Sequence, residues 1–149
     1  MRVKMKHALC SLVLLVMISA AGLTVGSKSA SAASVNIADR WDEIQNSKWG
    51  GSWRGDQHGT TGSAEFSLKR RGPIAVHVKI TVRGGVAGDH TYGISGKAVG
   101  NMLLLERTSS EVTLFLSEED GVLMLKGGYK VLTGKYAGET GAYYFKMTK

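Results

Sequence analysis

The sequence predicts an all-β domain, a single antiparallel up-and-down β-barrel of about eight strands with a short N-terminal helix. Three observations predict it. From Trp49 onward the chain is rich in glycine and holds no run of helical period longer than two turns. Short runs of alternating apolar and polar residues recur about every ten residues, with turn residues between them. The connectors are hairpin-like, so sequential strands pair and the sheet closes on itself, which removes its edges.

The first 32 residues differ from the rest. Arg2, Lys4 and Lys6 precede an uncharged, mostly apolar run from Ala8 to Leu23, and Ala30-Ser31-Ala32 offers small residues for cleavage. That order predicts an export signal over residues 1–32, cut after Ala32, rather than a membrane span. The expected destination is the periplasm or the exterior. The chain's one cysteine, Cys10, leaves with the signal, so the mature protein is stabilised by its core and not by disulfides. Four of the 19 basic residues precede residue 33, where there is no acidic one, leaving 15 basic against 12 acidic residues. That balance is too modest to indicate nucleic-acid binding.

Residues 33–47 form an N-terminal segment in which Ile37, Trp41 and Ile44 recur at helical spacing between charged residues. One short amphipathic helix is expected there, capped by Asn36. The barrel is expected over 48–149. Its clearest strand runs from Ile74 to Arg83, with Ile74, Val76, Val78, Ile80 and Val82 inward and His77, Lys79 and Arg83 outward. Outward lysine and arginine exclude a lipid-facing band. Ala64, Phe66 and Leu68 alternate in the strand before it, joined through Arg70-Arg71-Gly72-Pro73. Further strands are expected at 48–54, 90–98, 101–107, 111–118, 122–130 and 141–148, with a short one at 132–136.

Asp120-Gly121 predicts a type I′ turn, because both central residues of that turn need positive φ. The register follows: Leu116 faces Leu125, Phe115 faces Lys126, and Leu114 faces Gly127. A tight turn at Thr108-Ser109 likewise sets Leu105 against Val112 and Leu103 against Leu114. The inner side then carries the leucines at 103, 105, 114, 116, 123 and 125. Met102, Leu104, Phe115 and Met124 fall outside, an apolar patch of the kind that marks a contact with the helix, a second subunit or another protein. A register shifted by one residue would exchange the two faces.

Gly51-Ser52-Trp53 opening the first strand behind a short helix, followed by an all-β meander, resembles the calycin superfamily of lipocalins, avidins and small periplasmic metalloprotease inhibitors. The resemblance implies that Trp53 closes the bottom of the barrel with the helix across that end. The chain departs from those groups in places. Its last strand has no arginine to set over that tryptophan, Trp41, Trp49 and Trp53 all lie at the front where avidins use later ones for biotin, and no cysteine remains for the inhibitors' disulfide.

The chemistry-bearing residues are sparse. His58, His77 and His90 lack metal-ligand spacing, so no metal or cofactor is expected. Asp56-Gln57-His58 and Asp89-His90 meet only if their loops share one end of the barrel. Ser95, in Gly93-Ile94-Ser95-Gly96, is one residue short of a nucleophile elbow. Tyrosines recur beside glycines, as they do where a ring covers a glycine on a neighbouring strand. Alternatively, Trp53, Phe66, Tyr92, Tyr129 and Tyr143 line a mouth with apolar walls and phenol donors. The expected function is non-catalytic binding of a small hydrophobic or amphipathic ligand inside the barrel. The alternative is a scaffold, an inhibitor or self-associating factor, that acts through its loops or outer apolar face. A barrel enzyme would need only a shaped cavity and one polar group.

Overall fold

A computed structural model describes residues 32–148, so residues 1–31 of the expected export signal lie outside the described residues. The first elements are β1 (Ala33–Ser34), a 3₁₀ turn (Ile37–Arg40) and helix α1 (Trp41–Asn46). Eight strands follow: β2 (Lys48–Gly55), β3 (Thr61–Arg70), β4 (Ala75–Val82), β5 (His90–Val99), β6 (Met102–Arg107), β7 (Ser110–Glu119), β8 (Val122–Val131) and β9 (Thr140–Thr148). Each pairs antiparallel with the next, and β9 returns to pair with β2, which closes an eight-stranded barrel. β1 is an added piece that pairs with Ser117 and Glu118 of β7, beyond the point where β6 begins at Met102 opposite Phe115.

Both registers expected from the turns are present. Glu119 faces Val122, Leu116 faces Leu125 and Leu114 faces Gly127 across β7 and β8, about a turn in which Asp120 and Gly121 both have positive φ. Met102 faces Phe115 and Leu105 faces Val112 across β6 and β7. Two expectations fail at strand ends. Ile74 is 55% exposed, because hairpin bonding begins with the Arg71 N–H donating to the Ala75 carbonyl and leaves residue 74 in the connector. Residues 132–136 form no strand; Gly134 and Gly138 take positive φ and the segment turns back on itself.

The barrel has two unlike ends. The connectors after β3, β5 and β7 lie at one end with α1; those after β2, β4, β6 and β8 lie at the other. Asn36 caps the 3₁₀ turn through its side-chain oxygen, which accepts the Ala38 N–H at 3.0 Å. Ile37, Trp41 and Ile44 are buried as their spacing requires. The Trp49 indole donates to the Ile44 carbonyl at 3.1 Å, satisfying an acceptor that the last turn of the helix leaves open. Arg70 lies over the Trp41 ring from outside.

Trp49, and not Trp53, is therefore the tryptophan at the helix-closed end. β2 starts directly after the helix, so 49 is its first inward position. Trp53 stands four residues up the strand, roughly 13 Å farther along at the usual rise. Gly51 between them is required by closure. A methyl group there would overlap the Tyr144 carbonyl of β9, whereas nothing stands within contact range of one at Gly50.

Gly51→Ala should therefore destabilise the fold by about 1–3 kcal/mol, while Gly50→Ala should leave stability unchanged or raise it by up to about 1 kcal/mol. Urea unfolding midpoints of the two adjacent variants check this directly. Equal effects would contradict the close approach of β2 and β9.

Candidate functional site: an aromatic cavity at the open end

An aromatic column runs up the inside of the barrel from the closed end. Trp49 meets Phe66 edge-on at 6.0 Å between ring centroids, and Phe66 meets Phe145 at 5.2 Å. Tyr143 stacks on Phe145 at 5.4 Å, and Tyr129 leans on Tyr143 at 5.0 Å. Parity produces the column: each residue occupies an inward position of β2, β3, β8 or β9, and neighbouring strands stagger as the barrel closes. Leucines and valines of the remaining strands fill the space around its lower half.

Above Tyr143 the filling stops. A cavity of about 500 Å³ opens among the end connectors, walled by Trp53, Tyr92, Tyr129, Tyr143, Val82 and Val131. Four of the five expected ligand-binding residues thus stand together. Phe66 does not join them; it is buried between Trp49 and Phe145, beneath the floor. Two wall residues rest on glycines. The Trp53 ring covers Gly62, its partner on β3, and the Tyr129 ring covers Gly141, its partner on β9, where a side chain would displace each. Trp53 is also fixed by its indole N–H, which donates to the Arg83 carbonyl at 2.9 Å.

The polar groups of the cavity lie at its floor and around its rim. The Tyr92 and Tyr143 hydroxyls share a hydrogen bond of 2.7 Å across the floor. Burial pushes the Tyr143 phenol far above the ordinary range, with the neighbouring Tyr92 adding to the effect. Burial also raises Tyr92, against opposing contributions from its bond to Tyr143 and from Arg107. Tyr129 is raised first by burial and then by the carboxylates of Glu139 and Asp56. These phenols stay protonated at neutral pH, so they donate and accept hydrogen bonds and do not act as bases.

Arg107 lies on the inner side of β6, two residues beyond Leu105. Its guanidinium sits 4.5 Å over the Tyr92 ring, and its Nε donates to the Ser110 hydroxyl at 3.0 Å. Arg107 was not among the expected site residues, although it continues the inward alternation of Leu103 and Leu105. The loop histidines do share this end: His58 and His90 both line the cavity, His58 lies 3.3 Å from Glu139, and His90 stacks on Tyr92. Among the described residues no group of three or more His, Cys, Asp or Glu side chains is placed to hold a metal ion. His77 and Ser95 are bonded to each other at 2.9 Å, away from the cavity.

The expected outer patch is uneven. Phe115 is 44% exposed, Met102 and Leu104 are half-buried, and Met124 is only 4% exposed, its sulfur accepting from the Tyr144 hydroxyl at 3.9 Å. The helix does not cover this patch, because Ile37, Trp41 and Ile44 pack into the barrel end. Met124 belongs with the buried residues, and Val99 and Tyr144 extend the exposed row on either side of Met102 and Phe115.

In comparisons with known proteins, no family model matches the chain, and no curated protein matches it either.

The buried phenols give stability a pH dependence. In the unfolded chain they titrate near pH 10, and in the fold they titrate higher, so their contribution is full below pH 10. Above it the unfolded state loses protons that the folded state keeps. Stability should fall by up to about 1.4 kcal/mol per pH unit for each of Tyr92 and Tyr143. Between pH 9.5 and 11 the wild type should lose more stability than the Tyr92→Phe/Tyr143→Phe variant, as read from urea midpoints. Parallel losses in the two proteins would contradict the buried pair.

Proposed function

We propose that this is an exported, non-catalytic binding protein that holds a small hydrophobic or amphipathic ligand in the open end of a calycin-like barrel. The cavity carries the proposal: about 500 Å³ of space above a packed core, with aromatic rings and valines prominent in its wall. That volume lies within the range of small-molecule sites, which are mostly apolar with few orienting polar groups. The Tyr92–Tyr143 hydroxyl pair supplies such groups at the floor. Rings resting on glycines and a fixed Trp53 indole pre-shape the walls, which lowers the ordering cost of binding. The expected signal over residues 1–32 supports export, and the closed eight-stranded barrel supports the calycin-like assignment.

The second reading is self-association through the outer face. Val99, Met102, Phe115 and Tyr144 occupy neighbouring outward positions across β5 to β9, interrupted by Lys126, and three of them are exposed. Phe115→Ser should then shift the sedimentation coefficient toward the monomer without lowering the urea midpoint. An unchanged coefficient would count against this reading.

Binding in the cavity is tested with the neutral apolar dye N-phenyl-1-naphthylamine. Its fluorescence should rise on titration into residues 33–149. Val131→Trp, which fills the mouth, should weaken the dye by at least about ten-fold, a change of roughly 1.4 kcal/mol, with secondary structure unchanged. A dye response that Val131→Trp leaves intact would place the dye elsewhere and defeat the proposal.

A further inference from the structure

The charged groups around the cavity are sorted to opposite sides. In the ring β2-β3-β4-β5-β6-β7-β8-β9, β6 stands four strands from β2 in either direction, so the two are diametrically opposed. Arg107 ends β6. Its Nε is engaged by Ser110 and its face by Tyr92, but its two terminal nitrogens have no acceptor among the described residues. Across the mouth, Asp56 and His58 follow β2 and Glu139 precedes β9, the strand beside it. Glu139 lines the cavity within 3.3 Å of His58, and the charges of Glu139 and Asp56 both reach the Tyr129 hydroxyl. Asp56 accepts from the Thr140 hydroxyl at 2.9 Å, which holds it beside β9.

Of the other charges near the rim, Arg54 lies 4.0 Å from Asp56, Arg83 pairs with Glu65 at 2.8 Å, Asp89 accepts the Gly84 N–H and Lys135 lies over Tyr136; none of Arg54, Arg83, Asp89 and Lys135 lines the cavity. Among the described residues Arg107 and Glu139 make no ion pair with each other; both line the cavity, Arg107 bonded to the Ser110 hydroxyl and Glu139 3.3 Å from the His58 imidazole. Between them the wall is apolar: Val82, Val131 and the faces of Trp53, Tyr129 and Tyr143.

We infer that the cavity selects an elongated zwitterion, with an anionic end on Arg107, a cationic end beside Glu139, Trp53 and Tyr129, and an apolar middle between. The inference rests on the binding reading and adds the ligand's charge pattern. An arginine with free terminal nitrogens takes a carboxylate through paired, charge-assisted hydrogen bonds. An ammonium gains from a nearby carboxylate and from the faces of indole and phenol rings. Omega-amino acids and short apolar peptides with free termini both have this chemistry.

The test displaces N-phenyl-1-naphthylamine with 8-aminooctanoate, octanoate, octylamine and 1-octanol, which share one chain and differ in charge. The zwitterion should bind about ten-fold tighter than either singly charged analogue. Arg107→Gln should remove its advantage over octylamine, and Arg107→Lys should restore part of it. Glu139→Gln should remove its advantage over octanoate. Trileucine and its N-acetylated amide distinguish a peptide source: a preference for the free-ended form assigns the chemistry to peptides, and the opposite preference excludes them in favour of the omega-amino acids. If octanol displaces the dye as well as 8-aminooctanoate and trileucine do, the charge pattern is overturned and the cavity reading stands. If nothing displaces the dye and Val131→Trp leaves its signal intact, the cavity reading itself falls.

Discussion

The column of rings from Trp49 through Phe66, Phe145 and Tyr143 to Tyr129 is the interaction on which the rest of the molecule depends. An eight-stranded barrel has an interior only wide enough to be filled by its own side chains or to hold one small ligand. Here both occur, one above the other. Phe145 lies in the middle of the column and is fully buried, so it makes the lower half a solid core. Tyr143 is where that core acquires a polar surface. Offset and tilted ring contacts add to the burial of each neighbour, so displacing one ring disturbs both the core below and the floor above.

The helix makes the two ends different. Ile37, Trp41 and Ile44 plug one end, and Trp49 ties the helix to β2 by hydrogen-bonding the Ile44 carbonyl. Arg40 adds ion pairs to Glu43 and to Glu118 at the end of β7, on partly exposed side chains where such pairs contribute little beyond orientation. The other end has only connectors, and their contacts run around the rim: Gln57 and Asp56 hold Thr140, and Asp89 holds the turn at Gly84. A rim bonded to itself leaves the interior open above Tyr143.

Much of this was legible in the sequence where a period or a turn forces the answer. Two-residue periodicity placed the inward leucines and valines, and Asp120-Gly121 fixed the β7–β8 register because few other residues accept those φ values. Four of the cavity-lining aromatics follow from the same parity. The misplacement of Phe66 and Trp53 has one cause: parity states which side a residue faces but not how high it stands in the barrel. Phe66 and Trp53 both face inward, yet one is core and the other is wall. Height depends on stagger between strands, which closure sets and no local pattern encodes. Met124 shows the converse, an outward residue buried by its outward neighbour Tyr144 across a diagonal that the sequence does not display.

The same distinction explains why the polar groups of the cavity are informative. An arginine facing inward at Leu103 or Leu105 would be buried among apolar neighbours at a cost of several kcal/mol. Two residues higher, Arg107 stands at the rim, keeps solvent access and lies over Tyr92. Its inward position is therefore tolerable only at the height where a ligand would meet it. Glu139 and His58 reach the same level from the opposite side. The phenol pair below them stays neutral because burial opposes its ionisation, which keeps the floor uncharged. Arg107 and Glu139 thus stand at one height on opposite sides of the rim, with apolar ring faces between them and neutral hydroxyls below. Charge separated across the mouth in this way discriminates between molecules by the charges at their two ends, whereas the uncharged floor does not.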